Sequence, residues 1–119
     1  MTYTQEQIDS MSRFEVNKAV AEKLDYTGIS SMTEQESYNQ CGRDSVLLGR
    51  SKEFRPTDDP KDYMPIAIKH GIDLTFLRRF VCASAASSEF NQYSRTKPYP
   101  RTDTGLAVCA AFLMMEVGG

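Results

Sequence analysis

The segment Phe54–Leu74, FRPTDDPKDYMPIAIKHGIDL, carries the start and stop signals of one complete helix and the first residues of a strand behind it. Asp58 or Asp59 can cap that helix, because a carboxylate accepts the free backbone N–H groups of a first turn. Pro60 suits the first helical position, where its missing N–H costs nothing. Pro65 lies one turn further in and must kink the helix or start it afresh. Gly71 supplies the left-handed residue that ends a helix, and the alternation Ile72, Leu74, Phe76 reads as a strand. A loop–helix–strand unit is specified, which organises the fold without encoding a recognisable chemistry.

A chain of 119 residues makes one domain with one hydrophobic core. With 40% hydrophobic and 25% charged residues and a formal net charge of −2, it is a folded protein and no generic nucleic-acid binder. The N-terminus has no basic-then-apolar signal pattern. The longest apolar run, Leu106 to Met115, is about half the ~20 residues of a membrane span, so no membrane is expected. Cys41, Cys82 and Cys109 are odd in number and widely spaced, which fits a reducing cytoplasm better than a disulfide framework.

Thr4 with Gln7 is a weak capping box, and Ser12 with Glu15 a better one, opening a helix from about Arg13 to Leu24. Its apolar stripe is Phe14, Val20, Ala21 and Leu24, with Asn17 on the same side as a satisfied buried amide. Residues 25–37 read as a polar loop. Two short strands are predicted near Tyr38–Cys41 and Val46–Arg50, joined by a turn at Gly42–Asp44. Strands at Ile72–Phe76 and Phe80–Ala83 follow the Pro60–His70 helix, and Tyr93 suits a short edge strand in a Ser-rich, loop-like stretch. Thr102 or Asp103 caps a last helix to about Val117, apolar nearly all round. Such a helix is either sandwiched in the core or buried in a subunit interface, and a dimer is the first expectation. The expected core includes Phe14, Leu24, Ile66, Ile68, Leu74, Leu106, Phe112 and Leu113.

Catalytic constellations are sparse. His70, the one histidine, sits at a helix C-terminus, where the dipole favours a partly charged imidazole. Asp58, Asp59 and Asp62 lack the spacing of a calcium loop, and capping is the better reading. Charge is more suggestive. From Arg78 to Arg101 the bases Arg78, Arg79, Arg95, Lys97 and Arg101 face a single acid, Glu89, and Tyr93 and Tyr99 interleave with them. Guanidinium forks match phosphate oxygens and rings stack on bases, although a solubilising loop has the same composition. Arg55 and Tyr63 flank the Asp58–Asp59 helix start.

Three blocks then carry a resemblance: FEVNKAVAEKL at Phe14–Leu24, FRPTDDPKDYMPI at Phe54–Ile66 and GLAVCAAFLMM at Gly105–Met115. In this order they resemble small phage proteins of the NinX-like family and, more distantly, the phage domain described as an ABA sandwich. About a third of the chain is covered. The family often has tryptophan at the place of Met64 and asparagines at those of Asp58 and Asp59. The resemblance implies a single α+β domain over 1–119, a mostly antiparallel sheet covered by helices in an α-β-α sandwich. It also implies a bacteriophage accessory gene expressed in the host bacterial cytoplasm, and no enzyme.

The leading functional expectation is a non-enzymatic protein, without cofactor or metal, that sequesters an anionic nucleotide-type small molecule used as a host defence signal. Its ligand contacts are expected from Arg55, Tyr63, Arg95, Tyr99 and Arg101, where the loop before the Pro60 helix meets residues 93–101. Sequence-specific nucleic-acid binding is not expected. A protein–protein module that redirects a host factor is the alternative, and a nucleotide-acting enzyme is disfavoured by the missing metal and base motifs.

Overall fold

The computed structural model describes residues 3–49, 52–86 and 93–115. Side-chain caps open its first three helices, α1 (Gln5–Asp9), α2 (Arg13–Lys23) and α3 (Glu34–Cys41). The Gln7, Glu15 and Glu36 N–H groups donate to the hydroxyls of Thr4, Ser12 and Thr33 at 3.1, 3.2 and 3.2 Å. In each case the side chain three residues on accepts the cap's own N–H, completing the box. Strands β1 (Val46–Leu48) and β2 (Lys52–Phe54) follow, then α4 (Pro60–His70), β3 (Ile72–Phe76) and β4 (Phe80–Ala86). The chain continues through β5 (Tyr93–Arg95), β6 (Tyr99–Pro100), a 3₁₀ turn η1 (Arg101–Asp103) and α5 (Thr104–Met114).

The fold is α+β, with antiparallel strands packed against helices. The strands divide into two sheets. β1 pairs with β2 alone, and β4 pairs with β3, β5 and β6. The register Ile72↔Ala85 to Phe76↔Val81 joins β3 to β4. β5 takes one end of β4, opposite Ser84 to Ala86, and β6 the other, opposite Phe80 and Val81. Between them Thr96 substitutes for the ladder: its hydroxyl accepts the Ala83 N–H and donates to the Lys97 carbonyl.

The strand predicted at Tyr38–Cys41 is corrected to the second half of α3. Thr33 and Glu36 form a capping box that outweighs the strand preference of Tyr38, and Gly42, at φ 73°, closes the helix in the left-handed conformation. The polar loop accordingly ends before Glu34. Ile68 is corrected from core to surface, 77% exposed. The buried face of α4 is Ile66 and Ala67, and Ile68 with Met64 lies on its outer side. Leu24, Leu74 and Leu106 are partly buried against the core, whereas Phe14, Ile66, Phe112 and Leu113 are buried. α4 runs through Pro65 without a break, and Asp59 caps it by accepting the Lys61 N–H. The expectations attached to Arg50, Glu89 and Val117 lie outside the described residues.

The apolar last helix is the sandwiched alternative. α5 packs against β4 and β3 and also against α2 and α4, and Ala107 to Leu113 are at most 1% exposed. Enclosed by its own chain, α5 needs no second copy to cover it. Its carbonyl end is closed from α2, where the Lys23 ammonium donates to the Phe112 and Met115 carbonyls. Burial lowers the Lys23 pKa to about 8. Asn17, fully buried on α2, accepts the Thr57 N–H at 3.0 Å and donates to the Asp44 carbonyl at 2.8 Å. That amide ties the segments before β1 and before α4 to one helix. Gly105 completes the joint: a Cβ there would stand 2.5 Å from the Thr57 carbonyl oxygen and 2.6 Å from that of Pro56.

Gly105→Ala is expected to force these backbones apart and to destabilise the protein by about 1–3 kcal/mol. Asn17→Leu strands a buried donor and a buried acceptor, at about 1–3 kcal/mol for each group left unpaired. Urea denaturation measures both, and a loss under about 0.5 kcal/mol in either variant contradicts the joint.

Candidate functional site

The face of α4 that turns from the core toward β2 carries Lys61, Asp62, Pro65, Ile66, Lys69 and His70. Lys61, Pro65 and Lys69 recur every four residues and so stand in one row. Pro65 has no N–H, so the helix bond to the Lys61 carbonyl one turn earlier is missing. Opposite this row lie Lys52 and Phe54 of β2 and Leu24 and Tyr26, just beyond α2. Together they line a cleft of about 230 Å³. The Tyr26 ring stands edge-on to Phe54 at 5.2 Å between centroids and remains 42% exposed.

The charges of the cleft divide into paired and open ones. Lys61 reaches Asp59 at 3.1 Å and Asp62 at 3.9 Å. The Asp59 hydrogen bond raises the Lys61 pKa, and Lys61 in turn holds the Asp59 carboxyl below its usual range. Asp62 also accepts the Arg55 N–H at 2.9 Å. Among the described residues no carboxylate pairs with Lys52 or Lys69. His70 closes the far end, its ring 4.8 Å from that of Phe112. Its Nε2 is buried without a hydrogen-bond partner. Burial first, then the nearby charges of Lys69 and Lys23, lowers its pKa. The partly charged imidazole expected at this helix end is thus corrected to a neutral one at pH 7, because burial and two ammonium groups oppose the dipole.

None of the five residues expected to bind ligand lines this cleft. Arg55 lies in a closed network at the start of α5. Its Nη2 meets Asp58 at 3.2 Å, Arg13 reaches Asp58 at 3.4 Å, and Arg13 reaches Asp103 at 2.6 Å. The loop before α4 meets Gly105 of α5 and, through Arg13, Asp103, and Arg55 is neutralised there by Asp58. Tyr63 is half-buried against the core. Tyr99 is 5% exposed, its hydroxyl accepting from Gln5 Nε2 at 2.8 Å, so it offers no open stacking face. Burial raises its pKa. Arg95 and Arg101 are exposed near opposite ends of β4, beside Ser84 and Phe80, about 13 Å apart along the strand.

Lys52, Lys69 and Tyr26 did not stand out in the sequence. The four-residue spacing of Lys61, Pro65 and Lys69 was a visible signal for one wall. Nothing local placed Tyr26 or Lys52 opposite it. Among the described residues no three His, Cys, Asp or Glu side chains are grouped to hold a metal ion, and no helix is long and apolar enough to cross a membrane. Cys82 and Cys109 are buried, and burial pushes the Cys109 thiol pKa far up, so it is no nucleophile at pH 7. Comparison with protein-family models, curated proteins and solved structures finds no match for the chain.

His70 gives the cleft a pH signature. An unfolded imidazole takes its proton near pH 6.5, whereas the folded one takes it only at lower pH. The unfolded state binds more protons in that window, so stability is expected to fall as pH drops below about 6.5. The single histidine gives one unambiguous imidazole resonance in a proton NMR titration. A midpoint at or above the free-histidine value contradicts the burial assigned to it, and His70→Gln is expected to flatten this part of the stability profile.

Proposed function

We propose that this protein binds an anionic nucleotide-type small molecule in the cleft between α4, β2 and Tyr26, without transforming it. One observation carries the reading: Lys52 and Lys69, which have no carboxylate partner among the described residues, converge with an open tyrosine ring on one concavity. Ammonium groups that need counter-charge attract phosphate, and the ring gives a base a stacking face. A volume of about 230 Å³ lies below the usual ~300–1,000 Å³ of small-molecule pockets, so a mononucleotide is the upper limit of what it holds. With the resemblance to small phage proteins, this becomes an accessory protein of the infected bacterial cytoplasm that holds a nucleotide signal away from its receptor. The class of ligand stays as read from the sequence, while the residues assigned to it move from the Arg55–Arg101 set to this cleft.

Isothermal titration calorimetry with AMP, ADP and uncharged adenosine is the test. AMP and ADP are expected to bind and adenosine to bind at least about tenfold more weakly, since a charge-assisted hydrogen bond contributes roughly 1.5–3 kcal/mol. Lys52→Gln and Lys69→Gln are each expected to weaken AMP about tenfold and to leave thermal stability within about 0.5 kcal/mol, as exposed substitutions do. Added salt should weaken binding in step. Equal affinity for AMP and adenosine, or unchanged affinity in both lysine variants, would falsify the cleft as the anion site.

A further inference from the structure

The basic, aromatic stretch singled out in the sequence is not absorbed by the cleft. Part of it forms the tip of the β3–β4 hairpin together with η1. Arg78 and Arg79 form the turn, closed by the Leu77 N–H donating to the Phe80 carbonyl at 2.7 Å. Pairing of Phe80 with Pro100 brings η1 alongside, and the Arg101 N–H donates to the Arg79 carbonyl at 3.3 Å. The Arg101 guanidinium lies over the Phe76 ring at 5.3 Å from its centroid. Phe76, Leu77 and Phe80 are nonetheless 51%, 45% and 46% exposed. Phe76 is level with Val81, the neighbour of Phe80, so the two rings lie on opposite faces of the hairpin.

Three arginines therefore surround two open rings at one edge. Among the described residues none of the three pairs with a carboxylate. The nearest acid along the chain from Arg101, Asp103, is held by Arg13. The net charge of −2 argues against nucleic-acid binding by the surface as a whole, but this edge is locally cationic, and its partner is anionic. The same edge of a second copy would set arginines against arginines. A bilayer would receive Arg78 and Arg79 first, the charged apex before the rings. A small anion would leave the rings unused, and so would a duplex, whose bases stay stacked on one another. A flexible polyanion with free π-faces meets each of these constraints: phosphates on the guanidinium groups, bases on the rings.

We propose that the β3–β4 tip and η1 form a binding edge for single-stranded nucleic acid. It is indifferent to sequence, with Phe76 and Phe80 as stacking faces and Arg78, Arg79 and Arg101 as phosphate contacts. This edge is separate from the nucleotide cleft and does not depend on it.

Fluorescence anisotropy with labelled oligothymidylate and oligouridylate of about twelve nucleotides, at about 50 mM salt, tests the proposal. Phe76→Ala and Phe80→Ala are each expected to weaken binding about tenfold. Both rings are about half exposed, so both variants should keep the wild-type circular dichroism and melting temperature. Three phosphate contacts give a logarithmic salt slope of about −2, and Arg78→Ala with Arg79→Ala should reduce it by about 1.4. Lys52→Gln and Lys69→Gln are expected to leave oligonucleotide binding unchanged, which separates this edge from the cleft. Three outcomes overturn the proposal: no binding at about 0.1 mM protein, duplex bound as tightly as single strand, or affinity unchanged in both phenylalanine variants. A polyglutamate peptide that binds where the oligonucleotides do not would also overturn it, and would assign the edge to an acidic protein segment.

Discussion

The burial of α5 is the constraint on which the rest of the structure depends. Its eleven residues, TGLAVCAAFLM, contain no charge, so water has to be excluded from almost every side of it. The sheet around β4 covers one flank and α2 with α4 covers the other. Small side chains at Gly105, Ala107, Ala110 and Ala111 let those neighbours approach closely, and Phe112 and Leu113 fill the volume between them. Both ends of the helix are then closed from outside it. The loop at Pro56–Thr57 presses on Gly105, and Lys23 satisfies carbonyls at the other end.

Fixing α5 also fixes where the charges fall. Loop 55–59 is drawn against the start of α5, and there Arg13 and Arg55 meet Asp58 and Asp103 in a neutralised network. α4, packed on α5 by Ile66 and Ala67, turns its Lys61–Pro65–Lys69 row toward β2. The hairpin beyond β3 outruns the core, so Phe76, Leu77 and Phe80 reach solvent. Two open cationic regions result, and in both an aromatic ring stands beside positive charge that has no carboxylate partner among the described residues. Arginines that looked equivalent in sequence thus divide: Arg13 and Arg55 are held by carboxylates at the start of α5, whereas Arg78, Arg79 and Arg101 lie at the hairpin tip.

Local chemistry explains what was legible. The Ser12–Glu15 box, Pro60 with Asp59, and Gly71 each act within a few residues, and each sets a helix end where the sequence places it. The alternation from Ile72 to Phe76 likewise gives β3. Asn17 was readable as a satisfied buried amide because a polar group on an apolar stripe has to find partners. The reading failed where two local signals competed. At Tyr38 a residue with strand preference lies inside a segment whose cap, Thr33 with Glu36, specifies a helix. At Ile68 an apolar residue falls one helical step off the buried face, and its burial was decided by where α5 lies.

The sequence by itself determined the ends of α2 and α4, the strand β3 and the presence of one helix too apolar for solvent, because caps, periodicity and hydrophobicity are properties of short segments. Only the tertiary structure decided that α5 is enclosed by its own chain, that Tyr99 is a core residue, and that Lys52, Lys69 and Tyr26 face one another. These outcomes depend on contacts between residues far apart in the chain. Nothing in a local pattern states which of several cations will find a carboxylate and which will be left facing a cleft.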